Sequence, residues 1–555
     1  MKPERRVIAW ILATLAAAAV VAWFFHPILS RDSLAGFDWP INLAYYDWTR
    51  TSFTEYGAFP LYMAGAPHSF NLIANPQSPV LSPLIGLLLL LPAGTYVKLL
   101  LVTYATLGLI GMIALVREHG VAPEIACFTG VVFAFNGFFL AHFAVGHPFF
   151  VAVYLLPVLL LLFERARRGS SAALWGAAGV NVLVLLEGAN HPFLWQNVLL
   201  LLLASAWCLE ARSLRPAWTW LRFQALSLGL GAFKLLPMLA EFLGYAAGKR
   251  NSGLPPAAAL WSLMAHGQNP MTTHPDVVFQ LGSGWWEYAF YVGVVPCVFV
   301  VAGLYAARRC WPLLLIGAFF LVISLDLRAA GTSLDPWSLI EGLPGWNTQR
   351  VPSRFLVMAI FVLLVAAAAG VQRMLDSVRE RRLLHAALRG AVALGAVLVL
   401  VDLRIQSIPW QGQGSGSQPV SLDRRPPLLL APAAEGSSVR FSEFTPNRFS
   451  VAVRSPVTAH LVLLGEREDR KHDWRIAGGA IESIGGRIAV RVDPGEREVR
   501  FRYTPRFLRL GIGLTALTLL AGVTWPRHAR WFDNVGLSAR VRRRTDDERT
   551  RRREP

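Results

Sequence analysis

The stretch Lys2–Pro40, KPERRVIAWILATLAAAAVVAWFFHPILSRDSLAGFDWP, decides the fold. Its middle, Val7–Phe25, is an almost unbroken apolar run. Lys2, Arg5 and Arg6 precede it, and Arg31, Asp32 and Asp38 follow it. About 20 apolar residues are what a helix needs to cross the hydrocarbon core. Lipid offers backbone groups no partner, so such a run must be helical. With its basic start it also resembles a signal peptide. It is too long for a typical apolar h-region and lacks a clear small-residue cleavage site, so it is read as a first membrane helix.

The same signal recurs along the chain. Of 555 residues, 54% are hydrophobic and 16% charged, whereas soluble proteins carry about a quarter charged residues. The spans read as roughly 7–25, 96–116, 124–141, 149–163, 172–187, 192–208, 219–237, 288–306, 311–326, 355–372, 386–403 and 507–525. The expected fold is therefore mainly α: a polytopic transmembrane bundle of about twelve helices. Short cytoplasmic loops collect Lys and Arg. With the N-terminus inside, the inner loops hold Arg117; Arg165, Arg167 and Arg168; Arg212 and Arg215; Arg308 and Arg309; and Arg373, Arg379, Arg381 and Arg382. The tail after Trp525 is basic as well and falls inside. The basic residues behind the net charge of +18 thus lie mostly at helix ends and in the tail, which argues against a nucleic-acid partner. Val80–Leu91 is apolar but short and Pro-flanked, so it reads as a re-entrant or interfacial segment. Cys127, Cys208, Cys297 and Cys310 fall in no outward loop, so no structural disulfide is expected.

Four outward regions are long: about 26–95, 241–287, 327–353 and 404–506. The last differs in kind. A Gly/Ser/Pro-rich linker, Gln411–Pro419, leads into Val439–Phe444, Arg448–Val453, His460–Leu464, Arg487–Val492 and Val499–Tyr503, which alternate with period two. That reads as a small β-sandwich before the last helix. The domain plan is a membrane core over 1–410, a β-domain over 411–506, a last helix over 507–526 and a basic cytoplasmic tail over 527–555.

The polar residues that stand out share the outward side. Asp38 lies just beyond the first helix, where a carboxylate suits general-base work; it equally suits the cap of a helix starting near Trp39 with Pro40 in its first turn. Asn75 and Gln77 flank Pro76, either to hold sugar hydroxyls or to make an Asn-Pro turn. Asn136, His142 and His147 lie near the end of the third span, and Glu187, Asn190 and His191 near the end of the fifth. Ionisable groups at this depth are costly and mark functional candidates. Arg350 and Arg354 occur on the outward side, against the positive-inside trend, where a guanidinium suits a lipid-carrier phosphate or an ordinary headgroup. Glu287 and Tyr291 are expected on the same face. No HExxH and no Cys/His ligand spacing is present, so a divalent metal has no motif behind it.

The ordered series ANPQSPVLSPL (74–84), AVGHPFFVAVYLLPVLLLLFER (144–165), FYVGVVP (290–296), LPGWNTQRVPSRF (343–355), FTPNRFSVAV (444–453) and VRFRYTPRFLRLGIGL (499–514) resembles the bacterial YfhO-like membrane proteins, which belong with the GT-C glycosyltransferases. The resemblance implies a GT-C bundle in the bacterial cytoplasmic membrane with both termini inside. It implies sugar transfer outside the membrane from a polyprenyl-phosphate donor to a cell-surface lipid, polymer or protein. Asp38 maps to the catalytic base of such enzymes. Trp39 follows it, so the acidic pair found in some of them is absent, leaving Asp32 and Asp47 as partners to consider. Two other readings compete: a flippase for a lipid-linked glycan, and a non-catalytic envelope assembly factor. A transporter should show a polar path through the bilayer, whereas the helix middles here are almost uncharged.

Overall fold

A computed structural model describes residues 3–64, 69–242, 253–264, 284–307, 310–328, 331–343, 346–411 and 425–534. The linker Gln411–Pro419 (beyond its first residue), Arg308, Arg309 and most of the basic tail lie outside the described residues.

The helices are α1 Pro3–Leu29, α2 Trp39–Thr54, α3 Ala93–Glu118, α4 Pro123–Phe135, α5 Gly137–Ala144, α6 Leu156–Arg167, α7 Ser171–Leu186, α8 Asn190–Ala211, α9 Arg215–Leu230, α10 Ala232–Phe242, α11 Pro256–Met264, α12 Val294–Ala306, α13 Trp311–Ser324, α14 Leu356–Ser377, α15 Arg382–Gln411 and α16 Leu508–Asn534. The chain is a multi-pass membrane protein. Seven described stretches are long and apolar enough to cross a membrane, or eight if α9 and α10, bent by 79° at Gly231, count as one. α7, α12 and α13 are apolar but shorter, as is the stretch Leu508–Gly522 of α16. Each expected span therefore meets a helix, while full crossing by length is met for seven or eight.

Lipid does not drive helices together, so close approach depends on small residues. A Cβ on Gly370 of α14 would fall 1.8 Å from the Gly303 carbonyl oxygen of α12, so these two backbones touch. Gly108 and Gly111 of α3 likewise admit Tyr154 and Val158. Phe133, Phe135, Tyr154 and Phe361 fill the centre. Leu12, Leu15, Val298, Val301 and Leu517 stay exposed on the outside, as a lipid-facing surface requires.

The connecting loops sort into two ends. At one, Arg165 and Arg168 bond Glu118, each at 2.7 Å, and Arg389 pairs with Glu124. At the other lie α2, the loop 142–147, the start of α8 and the turn before α14. Val80–Leu91 contains only a 3-10 turn, Ile85–Leu89, with Leu89 and Leu90 exposed.

Residues 428–503 form two four-stranded antiparallel sheets, numbered from β3 after the short pair β1 Tyr62–Met63 and β2 Phe70–Asn71. One sheet runs β4 Ser438–Thr445, β5 Arg448–Ser455, β10 Gly495–Tyr503, β7 Trp474–Ala477. The other runs β3 Leu428–Ala431, β6 Ala459–Arg467, β9 Arg487–Val492, β8 Ala480–Ile484. Phe449, Val451 and Val453 of the first sheet share one core with Leu461, Leu463, Ile488 and Val490 of the second. The β-domain sits on the first loop. The Leu61 amide donates to Asn447 Oδ1 at 2.7 Å, Asn447 Nδ2 donates to the Phe59 carbonyl at 2.7 Å, and Arg470 pairs with Glu241.

Candidate functional site

Asp38 is placed by an unusual piece of chain. Gly36 and Phe37 both have positive φ, 83° and 45°, a conformation seldom held by a bulky residue without cause. The reversal starts α2 at Trp39, with Pro40 in its first turn. The helix begins as the capping alternative expected, yet the Asp38 side chain makes no cap bond. Its Oδ2 lies 2.7 Å from His147 Nε2, and the side chain is 55% exposed. The carboxylate therefore keeps a face open to a substrate.

The His147 loop is stapled to this turn. The Asp38 amide donates to the Val145 carbonyl at 3.0 Å, Trp39 Nε1 to the Ala144 carbonyl at 3.2 Å, and Asn42 Nδ2 to the Gly146 carbonyl at 2.8 Å. Gly146 has φ +90°, and a Cβ there would fall 2.3 Å from the Trp39 nitrogen. Only glycine allows the contact.

Behind Asp38 runs a chain of polar side chains. His147 Nδ1 lies 2.9 Å from His142 Nδ1. His142 Nε2, fully buried, points at Glu287 Oε2 across 3.8 Å, too far for a hydrogen bond. Glu287 is clasped by Arg354 through both carboxylate oxygens, the Nε–Oε2 contact being 2.7 Å. The guanidinium lies 5.1 Å from the Phe150 ring centre. Burial by itself raises the Glu287 carboxyl. The Arg354 charge and hydrogen bonds, helped by His147 and His191, outweigh it and hold that carboxyl below its ordinary range.

The other expected site residues are distributed as follows. His191 Nδ1 lies 3.0 Å from Gln349 Oε1, which also accepts Trp195 Nε1 at 2.9 Å. That ties the start of α8 to the loop carrying Arg350, whose side chain is exposed. Arg354 is only 12% exposed and already occupied by Glu287, so it differs from Arg350 in what it can offer a phosphate. Asn75 makes the turn: its Oδ1 accepts the Gln77 amide at 2.9 Å and its Nδ2 donates to the Tyr45 hydroxyl at 2.9 Å. The Gln77 carbonyl presses on Gly188, where a Cβ would lie 2.5 Å away. Tyr291 turns from Glu287 and donates to Asp402 Oδ2 of α15 at 2.7 Å. Asn136 caps α5 through the Phe138 amide at 3.0 Å. Glu187 accepts from Ser82 at 2.5 Å and Tyr104 at 2.7 Å, deep beneath the 74–84 loop.

Gln349, Trp195, Phe150 and Trp286 join the site without having stood out in the sequence. Their signal is adjacency: Gln349 precedes Arg350, Phe150 follows His147 by three residues, and Trp286 precedes Glu287. For a metal ion, the described residues offer one group: His142, His147 and Glu287 present ligand atoms within 4.8 Å of one another.

No protein-family model matches the chain, and no curated protein matches it. Among solved structures, ArnT from Cupriavidus metallidurans bound to undecaprenyl phosphate is similar at a TM-score of 0.37 and 15% identity, over 73% of this chain and 75% of that chain.

Proposed function

We propose that this chain is a GT-C type glycosyltransferase of the bacterial cytoplasmic membrane. It moves a sugar from a polyprenyl-phosphate donor to a cell-surface lipid, polymer or protein on the extracytoplasmic face. The observation that carries this reading is the half-exposed Asp38 carboxylate, held by buried His147 at the same end of the bundle as exposed Arg350. Asp38 takes the proton from an acceptor hydroxyl as that oxygen attacks the anomeric carbon. The bond from that carbon to the lipid phosphate breaks, and Arg350 stabilises the charge that develops on the departing phosphate. A phosphate leaving group needs no general acid, so one base suffices. Arg354 acts through Glu287 and the histidines as a positioning residue. The arginine-rich opposite end supports an inward orientation for those loops.

The test is transfer by the purified full chain, reconstituted in lipid, from a panel of polyprenyl-phosphate sugars to envelope extracts. Removing a general base typically costs on the order of 100-fold or more in rate. Asp38→Asn should lose activity on that scale while donor binding persists. Full transfer by a folded Asp38→Asn variant would rule out Asp38 as the base.

A further inference from the structure

The hydrogen-bonded chain behind Asp38 ends in a conflict that a cation resolves. An ionised Asp38 accepts from His147, so His147 Nε2 carries the proton and its Nδ1, when the ring is neutral, is an acceptor. His142 must then donate from Nδ1 across the 2.9 Å contact. That leaves His142 Nε2 with a bare lone pair. This atom is buried and has no hydrogen-bond partner. It faces Glu287 Oε2 at 3.8 Å, and both oxygens of that carboxylate already accept from Arg354. Two acceptors thus confront each other in a dry interior, an arrangement that costs free energy unless something positive sits between them.

We propose that His142, His147 and Glu287 form a binding site for a divalent cation of the zinc or manganese class, directly behind Asp38. One ring nitrogen of each histidine and one Glu287 oxygen lie within 4.8 Å of one another. Metal–ligand bonds of about 2.0–2.2 Å close such a triangle with small side-chain movements. The His147 ring turns its Nδ1 from His142 to the ion, and His142 presents Nε2. Two imidazoles and a carboxylate favour zinc, manganese or ferrous iron over calcium or magnesium. The outer groups fit as well. Asp38 accepts from His147 Nε2, the carboxylate–histidine arrangement that orients metal-bound imidazoles, and Arg354 fixes Glu287. Three protein ligands leave a fourth coordination position open for an oxygen ligand, whose proton the ion would make easier to lose. The site itself stands whatever the chain transfers.

The experiment is metal analysis of the full chain in detergent, stripped with chelator and reloaded with Zn2+ or Mn2+. Wild type should retain the ion stoichiometrically after desalting, and reloading should raise its thermal midpoint. His142→Ala and Glu287→Gln should lose both effects. Because Glu287→Gln leaves Arg354 without its counter-charge, Co2+ loading of the wild type provides a variant-free readout: an imidazole-ligated Co2+ absorption spectrum is expected. Wild-type chain that retains no ion and gives no such spectrum, or folded His142→Ala that retains the ion in full, overturns the site.

Discussion

Removing the Arg354 guanidinium takes from buried Glu287 the charge that pairs with both its oxygens, and loss of one member of a buried pair typically costs about 3–5 kcal/mol. Arg354→Ala should therefore lower the thermal midpoint far more than Arg350→Ala, whose side chain is exposed; a thermal scan in detergent compares them. The pH dependence follows from the depressed Glu287 carboxyl. A depressed acid binds fewer protons folded than unfolded, so its stabilisation is present above the ordinary carboxylate range and lost as pH falls through the folded value. Wild type should therefore lose thermal stability on acidification more steeply than Glu287→Gln, as parallel pH-resolved melts would show. Asp38, His147, Glu287 and Arg354 were legible because charge beside a membrane is anomalous. Their pairing was not: Asp38 and His147 are 109 residues apart, and Glu287 and Arg354 are 67 apart. Gln349 is a neutral amide in a polar loop and carries no such anomaly.

At the scale of elements, the site depends on two turns pressed together. Gly146→Ala must open the contact with Trp39 or distort a φ of +90°. It should separate His147 from Asp38 and depress transfer while the bundle still folds. Transfer assays alongside helical circular dichroism would show activity falling with little loss of helix. Alternation revealed β4, β5, β6, β9 and β10 because each sends apolar side chains into or against the shared core. All five residues of β8 are exposed, and β3 and β7 have four residues each, too few for a period to emerge. The seven or eight stretches long and apolar enough to cross a membrane were equally visible. The break at Asn136, which caps α5 in mid-span, and the 79° bend at Gly231 were not, because hydropathy records composition and not direction.

Across the whole molecule, the β-domain and the first loop share one seat. Arg470 joins Glu241 of α10 and donates to the Ser69 carbonyl at 2.9 Å, while Asn447 holds Phe59 and Leu61. The β-domain thus holds the first loop at Phe59–Leu61 and at Ser69. Arg470→Ala should loosen this seat, and limited proteolysis should then release the β-domain from the bundle faster than in wild type. The central claim places lipid phosphate, Arg350 and Asp38 at one end of the bundle. A cryo-EM map of the full chain in nanodiscs with a bound polyprenyl phosphate tests it most directly. Density for the phosphate in contact with Arg350, facing the open oxygen of Asp38, is the predicted result. Phosphate bound at the arginine-rich end near Glu118, or anywhere out of reach of Asp38, would contradict it.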